Sequence, residues 1–144
     1  MYYGGLVILL VLADQTIKWW AASNLQLGDT ITLIPGWLDL TNVHNNGAAW
    51  SMLEGQHTFF IVIALVAIGV ILWLMKRNWH QRAKMVALSL LLAGTLGNFI
   101  DRFAQGYVVD MFELTFNNFP IFNLADSCLT LGVLIYIVII LRED

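Results

Sequence analysis

Thr58-Phe59-Phe60-Ile61-Val62-Ile63-Ala64-Leu65-Val66-Ala67-Ile68-Gly69-Val70-Ile71-Leu72-Trp73-Leu74-Met75 contains no charged side chain. A run this long and apolar is close to the ~20 residues a helix needs to cross a bilayer. Working outward from it, three more apolar stretches of similar length emerge. One covers 3–20, is interrupted by Asp14 and closes in Lys18-Trp19-Trp20. Another covers 83–102 and holds Gly94, Gly97 and Asn98, and the last covers 121–141 with Asp126 near its start. Trp19, Trp20, Trp73 and Trp79 stand at segment ends, where an interfacial aromatic belt would place them.

Composition supports a membrane protein. Hydrophobic residues make up 59% of the chain and charged ones 12%, with a mean hydropathy of +0.74. A soluble domain carries about twice that charged share. At 144 residues the expectation is one integral membrane domain over 1–144. The formal charge of -3 is small and unclustered, so no nucleic-acid partner is implied. The start of the chain lacks the basic region of a cleavable signal peptide. The single cysteine, Cys128, excludes an internal disulfide framework and reads as a small buried hydrophobe. His44 and His57 show no metal-ligand spacing, so no metal or other cofactor is expected.

The basic residues set the orientation. Lys76, Arg77, Arg82 and Lys84 crowd the connection between the second and third segments, which assigns that connection to the cytoplasm. The stretches 21–57 and 103–120 contain no lysine or arginine and are expected outside, with both termini cytoplasmic. Inside 21–57 the pattern turns extended. Thr30-Ile31-Thr32-Leu33-Ile34 alternates, Pro35-Gly36 makes a turn, and Trp37 to Val43 resumes before a second turn at Asn45-Asn46-Gly47. The predicted fold is therefore a membrane all-α, four-helix bundle with a small extracytoplasmic β-sheet cradle, joined by Tyr107–Leu114.

Topology converts position into depth. Asp126 is expected about five residues into the fourth helix, roughly 7 Å along its axis. Asn98, Asp101 and Arg102 share a face at the outer end of the third helix, and Asn123 shares one with Asp126. Lys18 closes the first helix on the outer side and can pair with Asp14 four residues earlier. Asp110 sits on the outer connection between the third and fourth helices. Ionisable groups at such depths are costly and point to function. Two neighbouring carboxylates do not both ionise cheaply, so one stays protonated and the other charged, as general acid–base chemistry on a water requires.

Five motifs occur in order: Asp14-Gln15-x-x-Lys18, Asn45-Asn46-Gly47-Ala48-Ala49-Trp50-Ser51, Gly94-Thr95-Leu96-Gly97-Asn98-Phe99-Ile100-Asp101-Arg102, Val108-Val109-Asp110 and Phe122-Asn123-Leu124-Ala125-Asp126. In this the chain resembles the lipoprotein signal peptidases (signal peptidase II), bacterial membrane aspartic proteases, over essentially its whole length. The resemblance implies an endopeptidase at the outer face of the cytoplasmic (inner) membrane. It would remove the signal peptide of a prolipoprotein just before its diacylglyceryl-modified cysteine. It also implies that Asp110 and Asp126 are the catalytic dyad. Asn45, Gly47, Asn98, Arg102, Asn123 and Ala125 would belong to the site, its substrate or a globomycin-type inhibitor. Asp14, Lys18 and Asp101 would be structural supports, and part of 103–121 a mobile flap. Departures from the family pattern are Ala93 before Gly94, Trp50 in place of the usual phenylalanine, and an N-terminus without basic residues.

Several of these groups also have simpler roles open to them. Asp14 has a partner in Lys18; Arg102 can snorkel to headgroups; Asn98 and Asn123 can join helices by hydrogen bonds. The rival function is a small proton or cation carrier with intramembrane carboxylates as its relay. A relay needs ionisable groups at several depths, yet the inner halves of all four segments are apolar. Four helices around one site suffice as a monomer.

Overall fold

The computed structural model describes residues 2–47 and 55–143; Ala48-Ala49-Trp50-Ser51 of the second motif lies outside them. The chain order is α1 (Tyr2–Asn24), β1 (Thr30–Ile34), β2 (Leu38–Asn45), α2 (His57–Arg77), α3 (Arg82–Gln105), β3 (Val108–Leu114) and α4 (Leu124–Leu141). All four helices are long and apolar enough to cross a membrane. The three strands form one antiparallel sheet in the order β1-β2-β3.

α3 is the central helix. Eleven of its residues are buried, against four in α1, three in α4 and one in α2. Small residues make this possible. A Cβ on Gly97 would stand 2.6 Å from Asp14 Oδ2, and one on Gly132 of α4 would stand 3.0 Å from the Ala87 carbonyl oxygen. α2 turns nearly its whole surface outward, including Val62, Leu65, Val66 and Val70. In water that face would be a liability; in a bilayer it is solvated by acyl chains.

Two apolar cores hold the molecule. Val7, Ile71, Leu88, Leu92 and Ala93 pack between helices. Ala21, Leu25, Leu40, Val109 and Met111 pack the end of α1 against β2 and β3. Between these cores, along α1 and α3, lie the buried polar residues Asp14, Lys18, Asn98 and Asp101. A bulge between Leu40 and Val43 of β2 resets the register to Val43↔Asp110, His44↔Val109 and Asn45↔Val108. That shift brings Asn45 within reach of Asp110.

The helix ends differ from those expected. α1 continues to Asn24 instead of stopping near 20, so Lys18 lies within the helix and is only 3% exposed. Its charge is neutralised by buried carboxylates, and Ala21 and Leu25 beyond it enter the second core. α3 runs to Gln105 and stops at Gly106, whose φ of 88° and N–H to the Arg102 carbonyl oxygen form a left-handed cap. α4 starts at Leu124, not 121, because Phe122 forms a β-bridge with Phe112 and Asn123 caps the helix. Asp126 is therefore in the first turn of α4 instead of five residues inside it. Within 103–121, residues 108–114 are held in β3.

Candidate active site

The start of α4 organises the site. Asn123 has extended backbone angles, and its Oδ1 accepts the Asp126 N–H at 2.8 Å. Asp126 Oδ2 accepts the Asn123 N–H at 3.2 Å in return. This reciprocal box satisfies two N–H groups of the helix start and sets the Asp126 carboxylate at its positive end. The Asn123 side chain is fully buried, and its Nδ2 donates to Asp110 Oδ1 at 2.7 Å and to Asn98 Oδ1 at 3.1 Å. One asparagine thus joins both aspartates.

The other carboxylate oxygens are held as firmly. Asn45 Nδ2 donates to Asp110 Oδ2 at 2.9 Å, and Asn98 Nδ2 donates to Asp126 Oδ1 at 2.7 Å. Burial pushes the Asp110 carboxyl up to about 6, and the Asp126 charge adds to the rise. The hydrogen bonds from Asn45 and Asn123 and the Lys18 charge act in the opposite direction. A carboxyl so placed changes protonation readily near neutral pH.

Behind the aspartates lies a buried ion cluster. Lys18 Nζ is 2.9 Å from Asp14 Oδ2, 2.9 Å from Asp101 Oδ2 and 3.0 Å from Asn98 Oδ1. Asp14 Oδ1 accepts the Ala125 N–H at 2.9 Å, and Asp101 Oδ2 accepts the Val109 N–H at 3.2 Å. The cluster therefore locks α4 and β3, the two elements that carry Asp126 and Asp110, onto α1 and α3. Arg102 Nη2 donates to the Gly47 carbonyl oxygen at 2.9 Å, and its guanidinium lies 4.8 Å from the Phe60 ring centroid. The Gly47 N–H bonds Asn45 Oδ1 at 2.9 Å, which closes a tight turn.

Asn45, Asn98, Arg102, Asp110 and Asp126 line a cavity of about 750 Å³. Its other wall is apolar, with Leu114, Phe119 and Leu129 among its residues. Asn123 and Ala125 stand behind the wall: Ala125 is buried and directed at α1 and α3. Lys18 makes the expected pair with Asp14 but is buried within α1 instead of closing it.

This chain matches the family described as Signal peptidase (SPase) II over residues 6–142. The chain belongs to the signal peptidase II family. Among similar proteins, the lipoprotein signal peptidase of Lactiplantibacillus plantarum is 53% identical, covering 96% of this chain and 93% of its own. That of Latilactobacillus sakei is 49% identical, covering 94% and 91%. A solved bacterial membrane enzyme superposes with a TM-score of 0.95 at 38% identity, covering 99% of this chain and 88% of its own.

Two partners in this signal peptidase II site had no assigned role from sequence. Gln15 Nε2 donates to Asp101 Oδ1 at 2.8 Å and to the Gly97 carbonyl oxygen at 3.2 Å, tying α1 to α3 beside the ion cluster. Its amide beside Asp14 in a mostly apolar helix is the signal the sequence offers. Phe60 supplies the face on which Arg102 rests, and nothing distinguishes it in sequence from Phe59. His44 stacks on Tyr107 with ring centroids 3.8 Å apart, and burial pushes its pKa down.

Proposed function

We propose that Asp110 and Asp126 are the dyad with which this membrane peptidase removes signal peptides from prolipoproteins. The observation that carries the proposal is Asn123, which bonds both carboxylates where they line one cavity. A water held between them loses its proton to the ionised aspartate as its oxygen attacks the scissile carbonyl carbon. The protonated aspartate gives its proton to the carbonyl oxygen. As the tetrahedral diol collapses, one hydroxyl returns its proton to the second aspartate and the carbonyl re-forms, the C–N bond breaks, and the amine nitrogen takes up the proton from the first aspartate.

The substrate is a prolipoprotein whose cysteine already carries diacylglyceryl. The apolar cavity wall beside the carboxylates suits a lipid-bearing residue, and the four helices are long and apolar enough to cross a membrane. Asn45, Gly47, Asn98 and Arg102 hold extended substrate or a globomycin-type peptide inhibitor, with Asn123 and Ala125 fixing the dyad. Asp14, Lys18 and Asp101 brace the site from behind. The chain is one domain and works as a monomer. The basic connection between α2 and α3 lies in the cytoplasm with both termini, so the cavity opens at the outer face of the cytoplasmic membrane.

The test is cleavage of a diacylglyceryl-modified prolipoprotein by purified protein in lipid. Asp110→Asn and Asp126→Asn should each lower the rate at least about 100-fold. Wild-type rates in both variants would overturn the dyad. Equal cleavage of the unlipidated precursor would overturn the substrate class.

A further inference from the structure

We propose that Lys18 is a positioning residue: its bond to Asn98 Oδ1 fixes which end of the Asn98 amide faces Asp126. The inference rests on the dyad proposed above and goes beyond a bracing role. Lys18 Nζ has three N–H donors and no acceptor. All three are engaged, by Asp14 Oδ2, Asp101 Oδ2 and Asn98 Oδ1. At 3% exposure, with every donor occupied, Lys18 does not touch substrate.

Two carboxylates already neutralise the ammonium, yet its third bond goes to a neutral amide. An asparagine amide is nearly symmetric in shape but opposite in polarity at its two ends. Because Nζ only donates, the Asn98 atom 3.0 Å away is the carbonyl oxygen. The other end, 2.7 Å from Asp126 Oδ1, is then the NH2 group. A flipped amide would set donor against donor at Lys18. It would also set carbonyl oxygen against carboxylate oxygen at Asp126, which is satisfied only if Asp126 carries a proton. Asn123 Nδ2 also donates to Asn98 Oδ1, at 3.1 Å, and Lys18 adds the charged donor that keeps Asp126 facing the NH2 end, the environment that suits its ionised form.

The same polarity reaches Asp110. The Asp126 N–H fixes Asn123 Oδ1, so Asn123 Nδ2 is directed at Asp110 Oδ1 and Asn98 Oδ1. Two asparagines thus link one cation to both carboxylates, and every bond in the chain has a defined direction. The charged groups around Lys18 are Asp14 on its own helix, Asp101 and Arg102 on α3, Asp110 on β3 and Asp126 on α4. Without the ammonium, four carboxylates face Arg102 alone among these groups. Lys18 also holds the Asp110 carboxyl lower than it would otherwise be.

The experiment measures kcat, KM and the pH dependence of kcat on diacylglyceryl-modified prolipoprotein. Lys18→Met keeps the length of the side chain and removes the donors. Lys18→Met/Asp14→Asn removes a buried anion with the cation, leaves an oxygen for the Ala125 N–H, and covers the case in which the single variant does not fold. In whichever variant folds, we expect kcat to fall at least about ten-fold with KM changed less than about two-fold. The acid limb of the kcat profile should move to higher pH. A merely structural Lys18 would lower Tm and leave the kcat and acid limb of the folded protein at wild-type values, which overturns the inference. Asp110→Asn and Asp126→Asn in the same assay separate the two ideas. If both are inactive while the Lys18 variants behave as wild type, only the positioning role fails.

Discussion

Asn123 and Asp126 cap each other across the first turn of α4, with bonds of 2.8 Å and 3.2 Å running in opposite directions. The side chain that makes this cap also reaches Asp110, so helix initiation and site assembly share one residue. Asn123→Ala should lose about 1–3 kcal/mol of stability, from the missing cap and unmatched buried groups. It should also lose at least about 100-fold in activity. Asn123→Ser keeps a capping oxygen but is too short to reach Asp110. It should retain most of the stability and little of the activity, as thermal unfolding and cleavage rates on the same preparation would reveal.

Asp110 predicts a sign for the effect of pH. Its folded value of about 6 lies above the ordinary 3.8, so the folded state favours the protonated carboxyl. The stabilising contribution is complete below 3.8 and is lost as pH rises through about 6. Wild-type Tm in detergent should decline across that window relative to Asp110→Asn, which has no carboxyl to titrate. A difference curve that is flat, or rises, would contradict the burial of Asp110.

Gly97 marks the closest approach of α3 to the ion cluster. A methyl there would stand 2.6 Å from Asp14 Oδ2 and 3.0 Å from the Ala125 Cβ. Gly97→Ala should cost about 1–3 kcal/mol by overpacking. Displacing Asp14 releases the Ala125 N–H, so activity should fall with stability. Gly69→Ala, on α2, meets no atom within 4 Å and should leave both unchanged.

Lys84 and Glu143 form an ion pair of 2.6 Å, with side chains 11% and 50% exposed. With the Glu143 partner half-exposed and screened by solvent, the pair contributes about 0–1 kcal/mol. Glu143→Gln should shift the Tm only slightly, more at low salt than at high salt, and leave cleavage unchanged. A large loss of activity would mean that this end of the molecule is coupled to the dyad.

Much of this architecture is legible in the residues themselves. The uncharged run at 58–75 and its three companions specify the spans, and the alternation in Thr30–Ile34 specifies β1. Polar residues in apolar surroundings, Asp14, Asn98, Asp110, Asn123 and Asp126, mark the layer that becomes the site. Helix ends were less legible because tertiary partners decide them. The Lys18 pair with Asp14, four residues away, is legible, but its second carboxylate, Asp101, is not, because it lies far along the chain. Phe122 resembled helix because a bridging strand residue and a membrane residue have the same apolarity. Gln15 and Phe60 became meaningful only once α1 met α3 and Arg102 met α2.

The bond from the Ala125 N–H to Asp14 Oδ1 joins positions 111 residues apart, the first helix to the last. Its consequence concerns synthesis. A growing chain emerges from the ribosome with α1, α2, α3 and β3 before Asp126 is made, so Asp110 at first has no partner aspartate from α4. On the proposed dyad, the nascent protein cannot cut the lipoproteins passing through the same membrane, or itself, until α4 inserts and closes against α1. On that reading, hydrolytic competence arrives in one step, with α4.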